Sequence, residues 1–145
     1  MNNVIKSYHY GQDLVEFALL IPVMILTVIL FTDLGRALFF YSTLTNVSRE
    51  GARYGVVHLC DDTGIINAAK EKALGINPDD INFTITWNPV PEGYPSDCVP
   101  VEFGAATVTV AAESGFEPIT EDLLFGSSPF TINITTTMYV ESFLP

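Results

Sequence analysis

The sequence predicts an α+β protein: a long N-terminal hydrophobic helix carrying a small C-terminal head of about three antiparallel strands and a short helix. Two observations predict this fold. An apolar run covers residues 14–31, and three later segments alternate apolar with polar residues. With 145 residues, the chain has about 90 left for the head once the helix is complete. We therefore divide it into an N-terminal segment (1–11), a helix (12–56) and a head (57–145).

The apolar run has the length of a membrane span. At ~1.5 Å per residue, 18 to 20 helical residues match a hydrocarbon core about 30 Å thick. Pro22 lies inside the run and should kink the helix. Glu16 is an acid inside an apolar segment, so it should have a partner or a function. No small-residue cleavage pattern follows Phe31, so the run is not typical of an ordinary secretory signal.

Beyond the membrane-length run, an apolar stripe with steps of three and four residues continues the helix to about residue 55. Its members are Leu30, Leu34, Ala37, Tyr41, Leu44, Val47, Gly51 and Tyr54. Asp33 and Arg36 are three residues apart and can pair on the helix surface. Glycine costs stability in a helix interior, so Gly51 predicts close packing by another segment.

The head should contain one short helix and three strands. Thr63 can cap a helix that ends near Leu74, before Gly75 and Pro78. The strands should turn one apolar face inward, and the second should cover Ala105 to Ala112. The inward residues are Ile81, Phe83, Ile85 and Trp87 in the first strand, Val108 and Val110 in the second, and Phe130, Ile132, Ile134, Met138 and Val140 in the third. The C-terminal half of the long helix should cover this face.

The charge distribution limits the partners of the head, and the cysteines indicate its compartment. The net charge is −11, and no basic residue follows Lys72, so a nucleic-acid partner is excluded. The two cysteines, Cys60 and Cys98, would form one disulfide in an oxidising compartment. Two buried free thiols are the alternative. A disulfide would close a loop of about 38 residues and stabilise the fold by roughly 4 kcal/mol.

The sequence contains no pattern typical of catalysis or of metal binding. It has only two histidines, and the acid pairs Asp61-Asp62 and Asp79-Asp80 lack the alternate spacing of a calcium loop. Helix caps and turns explain these acids better. Phosphate-binding, dinucleotide-binding and nucleophile-elbow motifs are absent. We therefore predict a protein that is not an enzyme and has neither a cofactor nor a metal site.

One set of residues carries a resemblance to known families. Gly11, followed by Glu16 at the fifth position and by an apolar helix, resembles the class III leader of type IV pilins and pseudopilins. A larger set resembles the TadE-like proteins of tight-adherence pilus systems. That set is Val15-Glu16-Phe17-Ala18-Leu19 with Pro22, then Asp33-Leu34-Gly35-Arg36-Ala37, Leu44-Thr45-Asn46 and Arg49-Glu50-Gly51-Ala52-Arg53-Tyr54.

The resemblance implies how the helix is processed and used. A prepilin peptidase would cut between Gly11 and Gln12, making residues 1–11 a leader, and Glu16 would pair with the new amino terminus of a neighbouring subunit. If the leader is retained, Glu16 must be neutral or bind backbone amides near the start of its own helix. The chain would reside in the cytoplasmic membrane before the pilus assembly machinery moves it outside.

Resemblance and apolar pattern together predict a structural subunit. It would polymerise with identical subunits, through its N-terminal helix, into a filament on the cell surface. One alternative is a minor pseudopilin that primes or tips a tight-adherence pilus made of another pilin. A second alternative is a membrane-anchored ectodomain that binds a ligand.

Overall fold

The computed structural model describes residues 10–95, 106–120 and 130–140. Its elements are helix α1 (Tyr10–Val57), helix α2 (Asp62–Lys70), a 3-10 turn (Pro78–Asp80) and the strands β1 (Asn82–Asn88), β2 (Thr107–Phe116) and β3 (Phe130–Tyr139). The strands form one antiparallel sheet in the order β1-β2-β3. The predicted α+β class is confirmed, with a long apolar helix, three antiparallel strands and a short helix.

The sheet has one face against α1 and one face toward water, as the alternation predicts, except that Phe130, predicted to face inward, is 63% exposed at the start of β3. In β1 the inward Trp87 is buried and the outward Asn82 is exposed. The register places Trp87 opposite Val108 and Val108 opposite Met138, so one apolar row crosses all three strands. This row packs with Ile65 of α2 and with the end of α1 in one core cluster.

Helix α1 is much longer than the sheet that it covers. Its 48 residues extend about 72 Å, whereas ten residues of strand extend about 33 Å. Only the C-terminal part can therefore be buried by the head. The wholly or almost wholly buried residues of that part are Thr43, Leu44, Val47, Ser48, Gly51, Ala52 and Gly55. Three members of the predicted apolar stripe, Leu30, Leu34 and Tyr41, remain 59%, 56% and 55% exposed.

Two glycines allow α2 and β2 to approach α1 closely. A Cβ placed on Gly51 would lie 3.2 Å from the Cβ of Ala69 and 3.3 Å from Val110 Cγ1. At Gly55 the corresponding distance to Val108 Cγ2 is 3.1 Å. The close packing predicted at Gly51 is confirmed, and Gly55 is a second contact of the same kind.

Three predicted boundaries differ from the structure. The N-cap of α2 is Asp61, whose Oδ1 accepts a hydrogen bond from the Gly64 amide at 2.8 Å, so Thr63 is not the cap. The helix ends at Lys70 and not near Leu74. Strand β2 continues to Phe116, because its last residues pair with the start of β3. The predicted start of β2, Ala105, lies outside the described residues.

Candidate assembly interface

The segment 14–31 of α1 exposes apolar side chains on every side of the helix. Leu14 is 72% exposed, Phe31 is 67% exposed, and no residue of the most apolar 18-residue window is buried. By length and composition this helix can cross a membrane. A bare apolar surface of this size is not stable in water, so it requires lipid or other apolar helices around it.

The predicted processing and registration residues lie at the start of this segment. Gly11 and Gln12 are in the first turn of α1, where helix ends fray, and no side chain or distant backbone of the described residues lies within 4 Å of a Cβ placed on Gly11. Glu16 is exposed and forms no hydrogen bond or ion pair with the described part of the chain. Pro22 lies within α1 without ending it, and the kink stays a prediction. The roles of all four residues are still expectations.

Asp33 marks the place where α1 enters the head. It is 5% exposed and lies just beyond the apolar segment 14–31. Its Oδ1 accepts from Arg36 Nη1 at 3.1 Å, which confirms the predicted pair. The carboxylate also accepts from the backbone amides of Ile119 at 3.0 Å and Thr120 at 2.8 Å. One side chain of α1 therefore binds a segment 86 residues later in the sequence.

The hydrogen bonds control the ionisation of Asp33. Burial alone would raise its pKa, but the amides of Ile119 and Thr120, together with Arg36, lower it from 3.8 to about 2. Arg36 also donates from Nη2 to the Glu117 carbonyl at 3.4 Å and lies 5.4 Å above the Phe116 ring. This Asp33 junction attaches the end of β2 to the helix where the apolar segment stops.

A second polar cluster holds the other end of α1. Asp61 Oδ2 accepts from the Tyr54 hydroxyl at 3.0 Å, and Asp62 accepts from Trp87 Nε1 at 3.1 Å and from the Tyr94 hydroxyl. The hydrogen bond to Asp62 raises the pKa of Tyr94. The Gly64 amide, followed by Tyr54, lowers the pKa of Asp61. The acid pair thus caps α2 and anchors the loop after β1.

The cysteines belong to the same end of the molecule. Cys60 has a left-handed backbone conformation (φ 62°) and is not a free thiol. Cys98 lies outside the described residues, so its pairing with Cys60 stays a prediction. Across residues 10–95, 106–120 and 130–140, no cluster of three His, Cys, Asp or Glu side chains could hold a metal ion.

The exposed apolar part of α1 and the part fixed to the head belong to one segment of the sequence. Residues 11–53 match the family of TadE-like proteins. The resemblance that the sequence motifs indicated is thereby confirmed over most of α1, and it associates the protein with tight-adherence pili. No curated protein and no solved structure matches the chain.

The TadE-like segment includes both parts of α1. Its first part is the bare apolar surface, and its second part, from Asp33 onward, packs against the head. The match ends before α2 and the sheet, so it says nothing about the fold of the head. Sequence reasoning missed two sets of contacts: the amides bound by Asp33 and the aromatic donors to Asp62. The one local sign of the first set was that Asp33 is an acid within an apolar stripe.

Proposed function

We propose that the protein is a pilin-like structural subunit that polymerises through α1 into an extracellular filament. The observation that carries this proposal is the contrast within one helix. Residues 14–31 are bare and apolar on all sides, while the continuation of the same helix is fixed to a folded head. Such a chain can be stored in a membrane and then bury the same surface among identical helices.

Assembly would begin with cleavage between Gly11 and Gln12 by a prepilin peptidase. The new ammonium group at Gln12 would then neutralise Glu16 of an adjacent subunit. Glu16 has no partner within the described chain, and an acid buried among apolar helices without a cation is strongly unfavourable. The need for this partner would align each incoming subunit along the axis of the filament.

The TadE-like match supports a second role within the same class. The chain would then be a minor pseudopilin that primes or tips a tight-adherence pilus made of another pilin. The amount of chain in sheared surface filaments separates the two roles. A main subunit forms most of the filament mass, whereas a minor pseudopilin is present in a few copies. If the chain stays in the membrane fraction and is absent from filaments, a ligand-binding ectodomain replaces both.

The processing step has its own test. N-terminal sequencing of filament protein should give Gln12 as the first residue, and Glu16→Ala should strongly reduce filament yield. Glu71→Ala is the matched control, because Glu71 is an exposed acid of the head, away from the apolar segment. Filaments that begin at Met1 and tolerate Glu16→Ala would rule out registration by an ammonium group.

A further inference from the structure

Helix α1 has opposite charges at its two ends. Asp13 and Glu16 precede or begin the apolar segment, and Arg49 and Arg53 lie near the C-terminal end. All four side chains are exposed, and none forms an ion pair or hydrogen bond with residues in the described ranges. The other exposed charges on α1 include Arg36, which already binds Asp33. The proposed ammonium group accounts for Glu16, so Asp13 and the two arginines are left without partners among the described residues.

The two charged ends share one side of the helix. The residues of α1 that face the sheet include Val47, Gly51 and Gly55, and Arg49 and Arg53 lie on the opposite side. Asp13 precedes Arg49 by 36 positions, which is about ten turns at 3.6 residues per turn. Asp13 and Arg49 thus point in nearly the same direction. They are about 54 Å apart along the axis, so they cannot meet within one chain.

The membrane surface does not provide the partner for the arginines. Arg49 lies 18 residues beyond Phe31, which is about 27 Å of helix. Attraction to anionic headgroups falls off within a Debye length of about 8–10 Å. An acid that pairs with these arginines must reach the same height above the apolar segment. Asp13 of another copy does so when that copy has moved outward.

We infer that Asp13 of one subunit contacts Arg49 and Arg53 of a second, parallel subunit that is displaced by about 54 Å along the axis and rotated by about half a turn, so that the charged sides of the two helices face each other. This inference rests on the proposed function, because the displaced copy is one that has already left the membrane. Insertion into one membrane gives all heads the same orientation, which excludes an antiparallel pair. The contact is heterologous, so its repetition produces an open filament and not a closed dimer.

The two helices overlap over only a few residues, so this contact depends on the attraction between opposite charges. At this displacement, residues 13–21 of the outer copy lie beside residues 49–57 of the inner copy, where α1 ends. Subunits at smaller displacements bury most of the apolar segment. The charged contact adds a specific long-range register along the filament, distinct from the pairing of Glu16 with an ammonium group.

Charge reversal with rescue tests the inference in the full-length chain. Arg49→Glu should reduce filament yield by about tenfold or more, because it places an acid opposite Asp13. Asp13→Lys should do the same, and the chain carrying both changes should recover assembly. Lys72→Glu is the control, since it reverses an exposed charge of the head outside α1. Normal assembly of either single variant, or no recovery in the double variant, would overturn the contact.

Cross-linking tests the register directly. A chain with Leu20→Cys and Val56→Cys, which are also 36 positions apart and leave the charges in place, should form a disulfide between two copies, detected by mass spectrometry of filaments containing a mixture of isotopically labelled and unlabelled protein. Leu20→Cys with Ser42→Cys is the matched control, because residue 42 lies about 21 Å further down the helix than residue 56. Cross-links at 42, or at neither position, would refute the register. A wild-type chain that forms no filament would instead refute the proposed function, and the register with it.

Discussion

At the scale of single residues, Asp33 shows how one carboxylate joins two distant parts of the chain. It accepts hydrogen bonds from two consecutive backbone amides, those of Ile119 and Thr120, and also binds Arg36. A carboxylate that accepts from free backbone amides in this way acts as the side chain of an N-cap residue does. Because the bonds require the charged form, its pKa falls to about 2.

This ionisation predicts a specific pH dependence. The folded-state pKa is below the usual 3.8, so the stabilisation is complete above about pH 4 and is lost as the pH falls through about 2. Asp33→Asn should lower the melting temperature at neutral pH, because its NH2 group would face a backbone N–H. The difference from wild type should shrink as the pH approaches 2. Thermal unfolding in detergent measures it.

Asp79→Asn is the matched control for this prediction. The pKa of Asp79 is also lowered, through its hydrogen bond to Lys70, but its side chain is 83% exposed. Exposed ion pairs contribute little to stability. If Asp79→Asn lowered the melting temperature at neutral pH as much as Asp33→Asn does, the hydrogen bonds from the two backbone amides would not be the reason why Asp33 stabilises the fold.

The glycines of α1 give a second prediction at this scale. Gly51→Val should destabilise the fold by about 1–3 kcal/mol, because the added carbons collide with Ala69 and Val110. Gly35→Val is the control, since none of the described residues lies within 4 Å of a Cβ there and valine is the better helix former. Denaturant unfolding in detergent compares the two. Equal stability of both variants would contradict the close packing at Gly51.

At the scale of elements, the predictions succeeded where periodicity is strong and failed where a side chain binds a remote segment. The alternation in β3 and the steps of α1 identify the elements, because burial on one face imposes a period. The end of β2 is harder to predict, since Ser114 and Gly115 are typical of turns but pair with β3. The amides bound by Asp33 could not be predicted at all, because the partner lies 86 residues away.

The loop after β1 supports a prediction about the C-terminal end of α1. Its Tyr94 binds Asp62, which also holds Trp87, so the loop is attached four residues before Cys98. We predict that Cys60 and Cys98 form a disulfide, and mass spectrometry of unreduced peptides from surface-exposed protein checks it. Tyr94→Phe should lower stability by about 1 kcal/mol and speed amide exchange in the loop. Free thiols on both cysteines would contradict the disulfide.

At the scale of the whole molecule, α1 has an exposed apolar part and a part that contacts the head. The apolar segment stops at Phe31, and the contacts with the head begin at Asp33, while the division of the chain at residue 56 stays a prediction. In the proposed filament, this continuous helix would connect the apolar segment directly to the head, and the heads would take a defined arrangement around the helices.

This boundary predicts how truncations behave. Removing residues 1–31 should convert a detergent-requiring, associating protein into a soluble monomer, because the surface that associates is gone while Asp33 remains. Removing residues 1–34 should also give a soluble monomer, but one with a lower melting temperature, since Ile119 and Thr120 lose their acceptor. Light scattering and thermal unfolding compare the two. If either truncated chain still formed filaments, a helix bundle could not be the basis of assembly. If the two truncated chains were equally stable, the head would begin after Leu34.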